Sequence, residues 1–158
     1  MRYFIMKPLG KILLPQTEER EGTEVIITSD ISRFGEIDYD ERSGLISDRF
    51  KSLIELYTLK SDFEPVVYLD AEKQEQAVFW RFAPPVYENY KAIYKNNGVP
   101  SHISFHEPED APILFTAKSP RGVRSVIISM AVAESALRRG ILGVKFTKTE
   151  ELIEDIAW

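Results

Sequence analysis

Two histidines and a glutamate in the segment HISFHE are the residues whose types best suit a metal site: His102, His106 and Glu107. Ile103 and Phe105 alternate with polar residues, which predicts a strand with both histidines on one face. At about 3.3 Å per residue the histidines then stand roughly 13 Å apart, whereas both would have to lie about 2.0–2.1 Å from one zinc ion. We therefore predict a solvated strand face here and no metal site.

A second set of side chains that could do chemistry is the acidic group of the segment GEIDYDERSG, which consists of Glu36, Asp38, Asp40 and Glu41. A calcium loop of the EF-hand type needs glycine at its sixth place and glutamate at its twelfth. Counting from Asp38, those places hold Ser43 and Arg49. The acids alternate with Ile37 and Tyr39, as on a hairpin with an exposed acidic face. We predict that this face is either simply solvated or binds a basic protein partner through the four acids.

The tyrosines of the segment between PP and NNG form a third set, which consists of Tyr87, Tyr90 and Tyr94. Pro85 suits the first turn of a helix and Gly98 suits its end, so the segment is predicted to be a short helix that carries the three rings. Aromatic side chains are enriched in the cores of protein interfaces. We therefore predict the three tyrosines as further partner-binding residues.

Other catalytic signatures are missing from the sequence. It contains no cysteine, which excludes disulfides, thiolate zinc ligands and cysteine nucleophiles. It also contains no G-x-S-x-G elbow, no H-E-x-x-H motif and no Walker glycine loop. We expect a protein without catalytic residues, metal or cofactor. An enzyme whose site is assembled from scattered polar residues is the alternative.

The elements that must position these residues are mostly short strands. Apolar or alternating runs between turns predict strands at YFIMK, TEVIITSD, EPVVYLD, QAVFWRFA, SHISFHE, APILFTAK and VRSVII. Their connections are too short for parallel crossovers, so mainly antiparallel pairing is predicted. The turn SPRG joins the last two strands as a hairpin. We predict an α+β fold with two or three helices in one domain over residues 1–158.

Two serine-capped helices are predicted, near residues 48–59 and 130–139. The first follows Ser47, whose hydroxyl can accept from a free backbone N–H, and its apolar face consists of Phe50, Leu53, Ile54 and Tyr57. The second follows Ser129 in the same way, and its apolar stripe consists of Met130, Ala133 and Leu137. Gly140 is predicted to end it in the left-handed conformation.

Length and charge narrow the class of protein. A chain of 158 residues, 44% of them apolar, fits one compact domain. Its net charge of −5 argues against nucleic acid as a partner, because binding a polyanion normally needs a basic face. The apolar runs are too short for a signal peptide or for the ~18 residues of a membrane span, so we expect a soluble, cytoplasmic protein with no membrane partner.

Two stretches of the chain resemble a known bacterial family. The family is immunity family eleven of the polymorphic-toxin immunity proteins, first described as a domain of unknown function. The chain resembles it, in the same order along the sequence, at GLISDRFKSLIELY with FEPVVYLD and at ILFTAK through VIISMAVAESALRRGILGVKF. Residues 88–110 depart from the family pattern. The resemblance implies a protein made beside a secreted toxin that protects the producer by blocking it. It implies no catalytic residue.

The sequence thus leads to one preferred function and two alternatives. The preferred function is a non-catalytic immunity protein that neutralises a cognate toxin domain by direct binding, with acidic side chains steering a basic partner. The first alternative is a binding or structural domain with an unrelated protein partner. The second is the enzyme with a scattered polar site. The sequence does not predict the oligomeric state.

Overall fold

The protein is described by a computed structural model, which covers residues 2–10, 12–17, 22–58 and 63–151. Its strands are β1 Tyr3–Pro8, β2 Glu24–Ile27, β3 Tyr39–Asp40, β4 Leu45–Ser47, β5 Pro65–Asp70, β6 Glu75–Arg81, β7 Tyr90–Tyr94, β8 Pro100–Phe105, β9 Leu114–Lys118, β10 Arg124–Ser129, β11 Val144–Lys148 and β12 Glu150–Glu151. Its α-helices are α1 Asp48–Glu55 and α2 Met130–Arg138. Short 3-10 turns cover Phe34–Glu36 and Pro108–Asp110.

The strands form three sheets in which antiparallel pairs dominate. The sheet orders are β11-β1-β10-β9, β12-β8-β7 and β2-β5-β6-β4-β3. Parallel pairing joins β2 to β5 and β12 to β8. The hairpin of β9 and β10 closes as predicted, since the N–H of Gly122 donates to Ser119 O at 2.9 Å in the turn. The predicted α+β fold with mainly antiparallel sheets is confirmed.

The chain divides into two compact units, each assembled from separate segments. The first unit consists of Met1–Met6, Ala83–Glu134 and Phe146–Trp158, and the second of Lys7–Phe82 and Ser135–Lys145. The core of the first unit contains Tyr3, Ile5, Ile103, Phe115, Ala117 and Ile127. The core of the second contains Leu14, Ile31, Phe34, Ile37, Leu45, Val66, Tyr68 and Phe79. The expectation of a single domain over residues 1–158 stays a prediction.

Helix α1 begins where the sequence predicts. The hydroxyl of Ser47 accepts from the N–H of Phe50 at 3.2 Å, and that bond satisfies one of the backbone donors left free at a helix start. Phe50, Leu53 and Ile54 are buried. The helix ends at Glu55, before the predicted end at residue 59, so Tyr57 lies beyond its last turn.

Helix α2 ends as predicted. Gly140 has a φ of +71°, a conformation that only glycine adopts without strain. Its N–H donates to Leu137 O at 3.1 Å, and the N–H of Ile141 donates to Ala136 O at 3.0 Å. These two bonds form the Schellman motif, which satisfies carbonyls at a helix end.

The start and the apolar face of α2 differ from the prediction. The hydroxyl of Ser129 is buried without a hydrogen-bond partner, so it does not cap the helix. The buried residues are Val132, Ala133 and Ala136, whereas Leu137 is exposed. Helix α2 follows β10 with no intervening residue.

The carboxylate of Asp38 is fully buried and connects three parts of the second unit. Its Oδ1 accepts from Ser47 Oγ at 2.6 Å and from Arg49 Nε at 2.7 Å. Its Oδ2 accepts from Arg49 Nη2 and from the N–H of Gly143, both at 2.7 Å. The prediction of an exposed acidic residue is therefore wrong for Asp38. Burial is tolerated because each carboxylate oxygen has two donors, one of them cationic.

A truncation on α1 tests the packing of this helix. Leu53 is completely buried, so Leu53→Ala should lower the free energy of unfolding by about 2–5 kcal/mol, through lost burial and the cavity left behind. Leu56→Ala is the matched control, because Leu56 is 66% exposed and its truncation should change stability by less than about 0.5 kcal/mol. Urea denaturation measures both, and equal losses would contradict the assigned face.

A substitution at Gly143 tests how closely this residue approaches Asp38. A Cβ added at Gly143 would clash with Glu36 O and would lie 2.5 Å from Asp38 N and 2.7 Å from Asp38 Oδ2. These distances are too short for a carbon atom, so the two backbone segments would have to move apart. Gly143→Ala should therefore cost at least about 2 kcal/mol of stability. In the control Gly35→Ala the new Cβ meets nothing within 4 Å, so a small change is expected. A Gly143→Ala protein as stable as Gly35→Ala in the same urea series would refute the close approach.

Candidate functional site

An open cleft in the first unit brings together the three tyrosines that the sequence predicts as binding residues. The cleft has a volume of about 410 Å³, and its walls include Tyr87, Tyr90, Lys91, Tyr94 and Lys118. These residues come from β7, from the segment before it and from the end of β9. A cleft of this size lies within the range of ligand pockets and also admits a side chain or a short segment of another protein.

The tyrosine segment is a strand, and the predicted short helix is wrong. Tyr90 pairs with Phe105 across the antiparallel β7 and β8, and the register shifts between Ile93 and Tyr94. The two prolines before the strand do not start a helix, because their carbonyls bond to β9. Pro84 O accepts from Thr116 Oγ1 at 2.7 Å, and Pro85 O accepts from Thr116 N at 2.9 Å. Pairing with β8 and β9 overrides the weak local preference for a helix.

Hydrogen bonds between the tyrosines and the backbone hold the cleft wall in one arrangement. The hydroxyls of Tyr90 and Tyr94 are 2.9 Å apart, and Tyr94 Oη donates to Lys118 O at 3.4 Å. Burial, and then the bond to Tyr94, raise the pKa of Tyr90 well above its ordinary value. The Tyr90 hydroxyl therefore stays protonated at neutral pH and can take part in hydrogen bonding as a donor or an acceptor.

The tyrosine rings rest on the aromatic core of the first unit. Tyr87 and Tyr90 stack with ring centroids 6.3 Å apart and planes 13° from parallel. Their centroids lie 5.4 Å and 5.7 Å from that of Phe115, which is almost completely buried. The half-buried rings thus pack on a buried aromatic base, and rings ordered in advance save part of the conformational entropy that binding would otherwise cost.

The charged groups of the cleft are of both signs. Lys91 and Lys118, which are basic, and Glu88, which is acidic, are among the residues that line the cleft. Tyrosine rings with nearby ammonium groups suit apolar or aromatic side chains and carboxylates of a protein partner. The two lysines are site residues that sequence reasoning missed. Lys118 ends β9, and only the packing of the strands places it beside the tyrosines.

The four predicted acids do not form one exposed face. Asp38 and Asp40 are buried, so the prediction that they belong to an exposed acidic face is wrong for both. Glu36 and Glu41 are exposed, and their role as contact residues stays a prediction. Glu36 pairs with Arg33 at 2.9 Å, and this hydrogen bond lowers the pKa of the Glu36 carboxyl.

The alternation that suggested an acidic face is disrupted by the local fold. The segment consists of a 3-10 turn at Phe34–Glu36 followed by a strand of two residues, Tyr39–Asp40. Side chains alternate between faces only along an extended strand. Ile37, Asp38, Tyr39 and Asp40 are all buried in succession, because the segment packs on both sides.

The histidines lie on β8 and just beyond it. Nδ1 of His102 is 2.8 Å from Ser101 Oγ, within hydrogen-bonding distance. Among the residues that the structure describes, no group of three His, Cys, Asp or Glu side chains is arranged to hold a metal ion. Within the same residues, no helix combines the length and the apolar character needed to cross a bilayer.

Comparison of the chain with known proteins finds no relative. No protein-family model, no curated protein and no solved structure matches it. The function proposed below is therefore supported by the residues of the cleft and by the family resemblance of the sequence.

Proposed function

We propose that this chain is a non-catalytic binding protein that docks a segment of a protein partner in the tyrosine cleft. We further propose that the partner is a bacterial toxin domain and that binding blocks it, as the resemblance to immunity family eleven implies. An unrelated protein partner is the alternative that the same cleft accommodates.

One observation carries the proposal. Tyr87, Tyr90 and Tyr94 line one open cleft, where Tyr90 bonds to Tyr94, Tyr94 bonds to Lys118 O, and the ring of Tyr87 stacks on that of Tyr90. Tyrosine is over-represented among the few residues that dominate binding energies, because it offers a large ring and a hydroxyl at a low entropic cost. The half-buried, prearranged rings match this description.

The edge of a sheet beside the cleft supports a protein as the ligand. Among the described residues, β7 pairs with β8 alone, and β7 forms one end of the three-stranded sheet. An extended segment of a partner can add to such an edge through main-chain hydrogen bonds while side chains enter neighbouring pockets. The cleft lies next to this edge and supplies such a pocket.

Co-expression tests the toxin as partner. The open reading frame adjacent to the gene is expressed in a bacterial host with and without this chain, and growth is followed. If the frame encodes the cognate toxin, it should arrest growth alone, and the chain should restore growth and co-purify with it. A toxic product that neither binds the chain nor loses its toxicity would contradict the proposal for that pair.

A tyrosine truncation tests the cleft itself. Tyr94→Ala should weaken binding of the purified partner at least about tenfold, or 1.4 kcal/mol, because it removes a ring from the wall and the hydroxyl that bonds to Tyr90. Tyr57→Ala is the matched control. Tyr57 is also half-buried and has one hydroxyl bond, of 2.7 Å to Ser135, but it belongs to the second unit.

Surface plasmon resonance gives both affinities, and thermal melts verify that each variant is folded. A Tyr94→Ala protein that binds like the wild type would exclude the cleft from the interface. If the partner still binds in that case, the surface that includes the exposed Glu36 and Glu41 is tested next, with Glu36→Gln and Glu41→Gln combined.

A further inference from the structure

Strand β2, at one end of the five-stranded sheet, carries two exposed apolar side chains. In the described part of the chain it pairs with β5 alone. Val25 and Ile27 are 58% and 76% exposed, whereas Ile26 between them packs against the core of the second unit. The strand thus turns two β-branched residues to solvent, on the face where an antiparallel sheet usually presents polar side chains.

The same face of the sheet is covered by a helix only at its other side. Trp80 of β6 lies on this face, and its indole N–H donates to Asp48 at the start of α1 at 2.8 Å. Helix α1 thus lies over β4 and β6. Val67 and Leu69 of β5, which stand beside the exposed pair of β2 in the register, are half-buried. The apolar surface of β2 therefore continues onto β5.

The main chain of β2 directs hydrogen-bonding groups away from the sheet. The N–H of Thr28 donates to Leu69 O at 3.0 Å, so Thr28 faces β5. The N–H and C=O of one residue point to the same side of a strand, and this side alternates along the chain. The groups of Ile26 therefore also face β5, and those of Val25 and Ile27 face away from it. The outward donors and acceptors lie symmetrically about Ile26.

Strand β2 has the composition of an edge that can pair. Edge strands are usually protected from pairing by lysine, proline, a bulge or an inward-pointing charge. The strand reads EVII, and its one ionisable residue is Glu24. Oε2 of Glu24 accepts from Arg81 Nη2 at 2.5 Å within the same chain. Two copies of β2 can therefore meet without like charges directly opposite each other, which would be destabilising.

We propose that two copies of this chain associate by pairing their β2 strands antiparallel, about a two-fold axis through Ile26. In this register Val25 lies opposite Ile27 of the second copy, and each outward N–H meets an outward C=O. The facing β-branched side chains add apolar contact. A second copy is the occupant that this symmetry favours, because the segment is complementary to itself, and two-fold dimers are the commonest oligomers.

The strength of the association follows from the length of the strand. A strand of four residues buries much less than the roughly 1,200 Å² of a stable interface, so the dimer is weak and forms only as the concentration rises. The proposal concerns the second unit and does not depend on the tyrosine cleft.

Disulfide cross-linking tests the register, because the chain contains no cysteine of its own. Val25→Cys protein, carrying an affinity tag, is mixed with untagged Ile27→Cys protein and a mild oxidant. Directly opposite residues have Cα atoms about 5.5 Å apart, within the roughly 4.4–6.8 Å that a disulfide spans. Val25→Cys alone would have to join diagonal positions about 7–8 Å apart. The mixed pair should therefore cross-link at least about tenfold faster than Val25→Cys alone or than Leu137→Cys, an exposed control.

Sedimentation equilibrium tests the association without cross-links. From about 10 μM to about 1 mM the average mass of the wild type should rise toward that of two chains. Ile27→Lys should weaken the association at least about tenfold, because a lysine on the edge opposes pairing. Leu137→Lys is the matched control, since Leu137 is 53% exposed and lies outside β2, and its association should equal that of the wild type.

Every substitution in these tests alters an exposed side chain, so the variants should fold, and thermal melts verify this. The proposal is overturned if the wild type stays monomeric up to about 1 mM, a result that would leave the edge to a strand of another protein. It is also overturned if Ile27→Lys associates like the wild type, or if the mixed cysteine pair cross-links no faster than Val25→Cys alone.

Discussion

The second unit depends on one buried carboxylate. Asp38 follows the 3-10 turn, Ser47 and Arg49 stand at the start of α1, and Gly143 stands before β11. Placing an ionised group in the interior costs several kcal/mol unless donors replace its water, and here four hydrogen bonds do so. Those bonds are short only if all three segments stand in one relative position. The requirement to satisfy Asp38 thus determines where the helix begins and how closely Gly143 approaches.

The same network explains why the neighbouring residues behave so differently. Ser47 uses its hydroxyl twice, since it donates to Asp38 and accepts from the N–H of Phe50. The helix cap and the buried ion pair are therefore one structure. Arg49 keeps 47% of its side chain exposed, so its charge stays partly solvated and the pair costs less than a fully buried one. Asp40 has no such arrangement, and its Oδ1 accepts one long bond of 3.4 Å from the N–H of Ser43.

The tyrosine cleft belongs to the first unit, where it offers ring faces, hydroxyls and two lysines on an aromatic core, which suits apolar and acidic groups of a protein. Its chemistry depends on half-buried side chains that packing holds in place. Preorganisation of this kind favours binding because little freedom is lost when a ligand arrives.

Local signals along the sequence predicted the elements well. The spacing of Phe50, Leu53 and Ile54, the serine before them and the glycine after α2 each act through residues a few positions away. Such short-range effects can be read from the chain, because backbone donors, caps and helical periodicity involve near neighbours. The same holds for the hairpin of β9 and β10, whose turn lies in four consecutive residues.

The tertiary structure alone decided which side chains are buried and which hydrogen-bond partners they have. The alternation around Asp38 and Asp40 looked like an exposed face, because sequence cannot show that both carboxylates are buried and that Arg49 and Gly143 approach that of Asp38. The prolines before Tyr87 suggested a helix, because their bonds to Thr116 span some thirty residues. The sequence by itself determined where the two α-helices and most of the strands lie, because those signals act between near neighbours. Contacts between residues distant in the chain decided which polar groups are buried, and therefore where a ligand can bind.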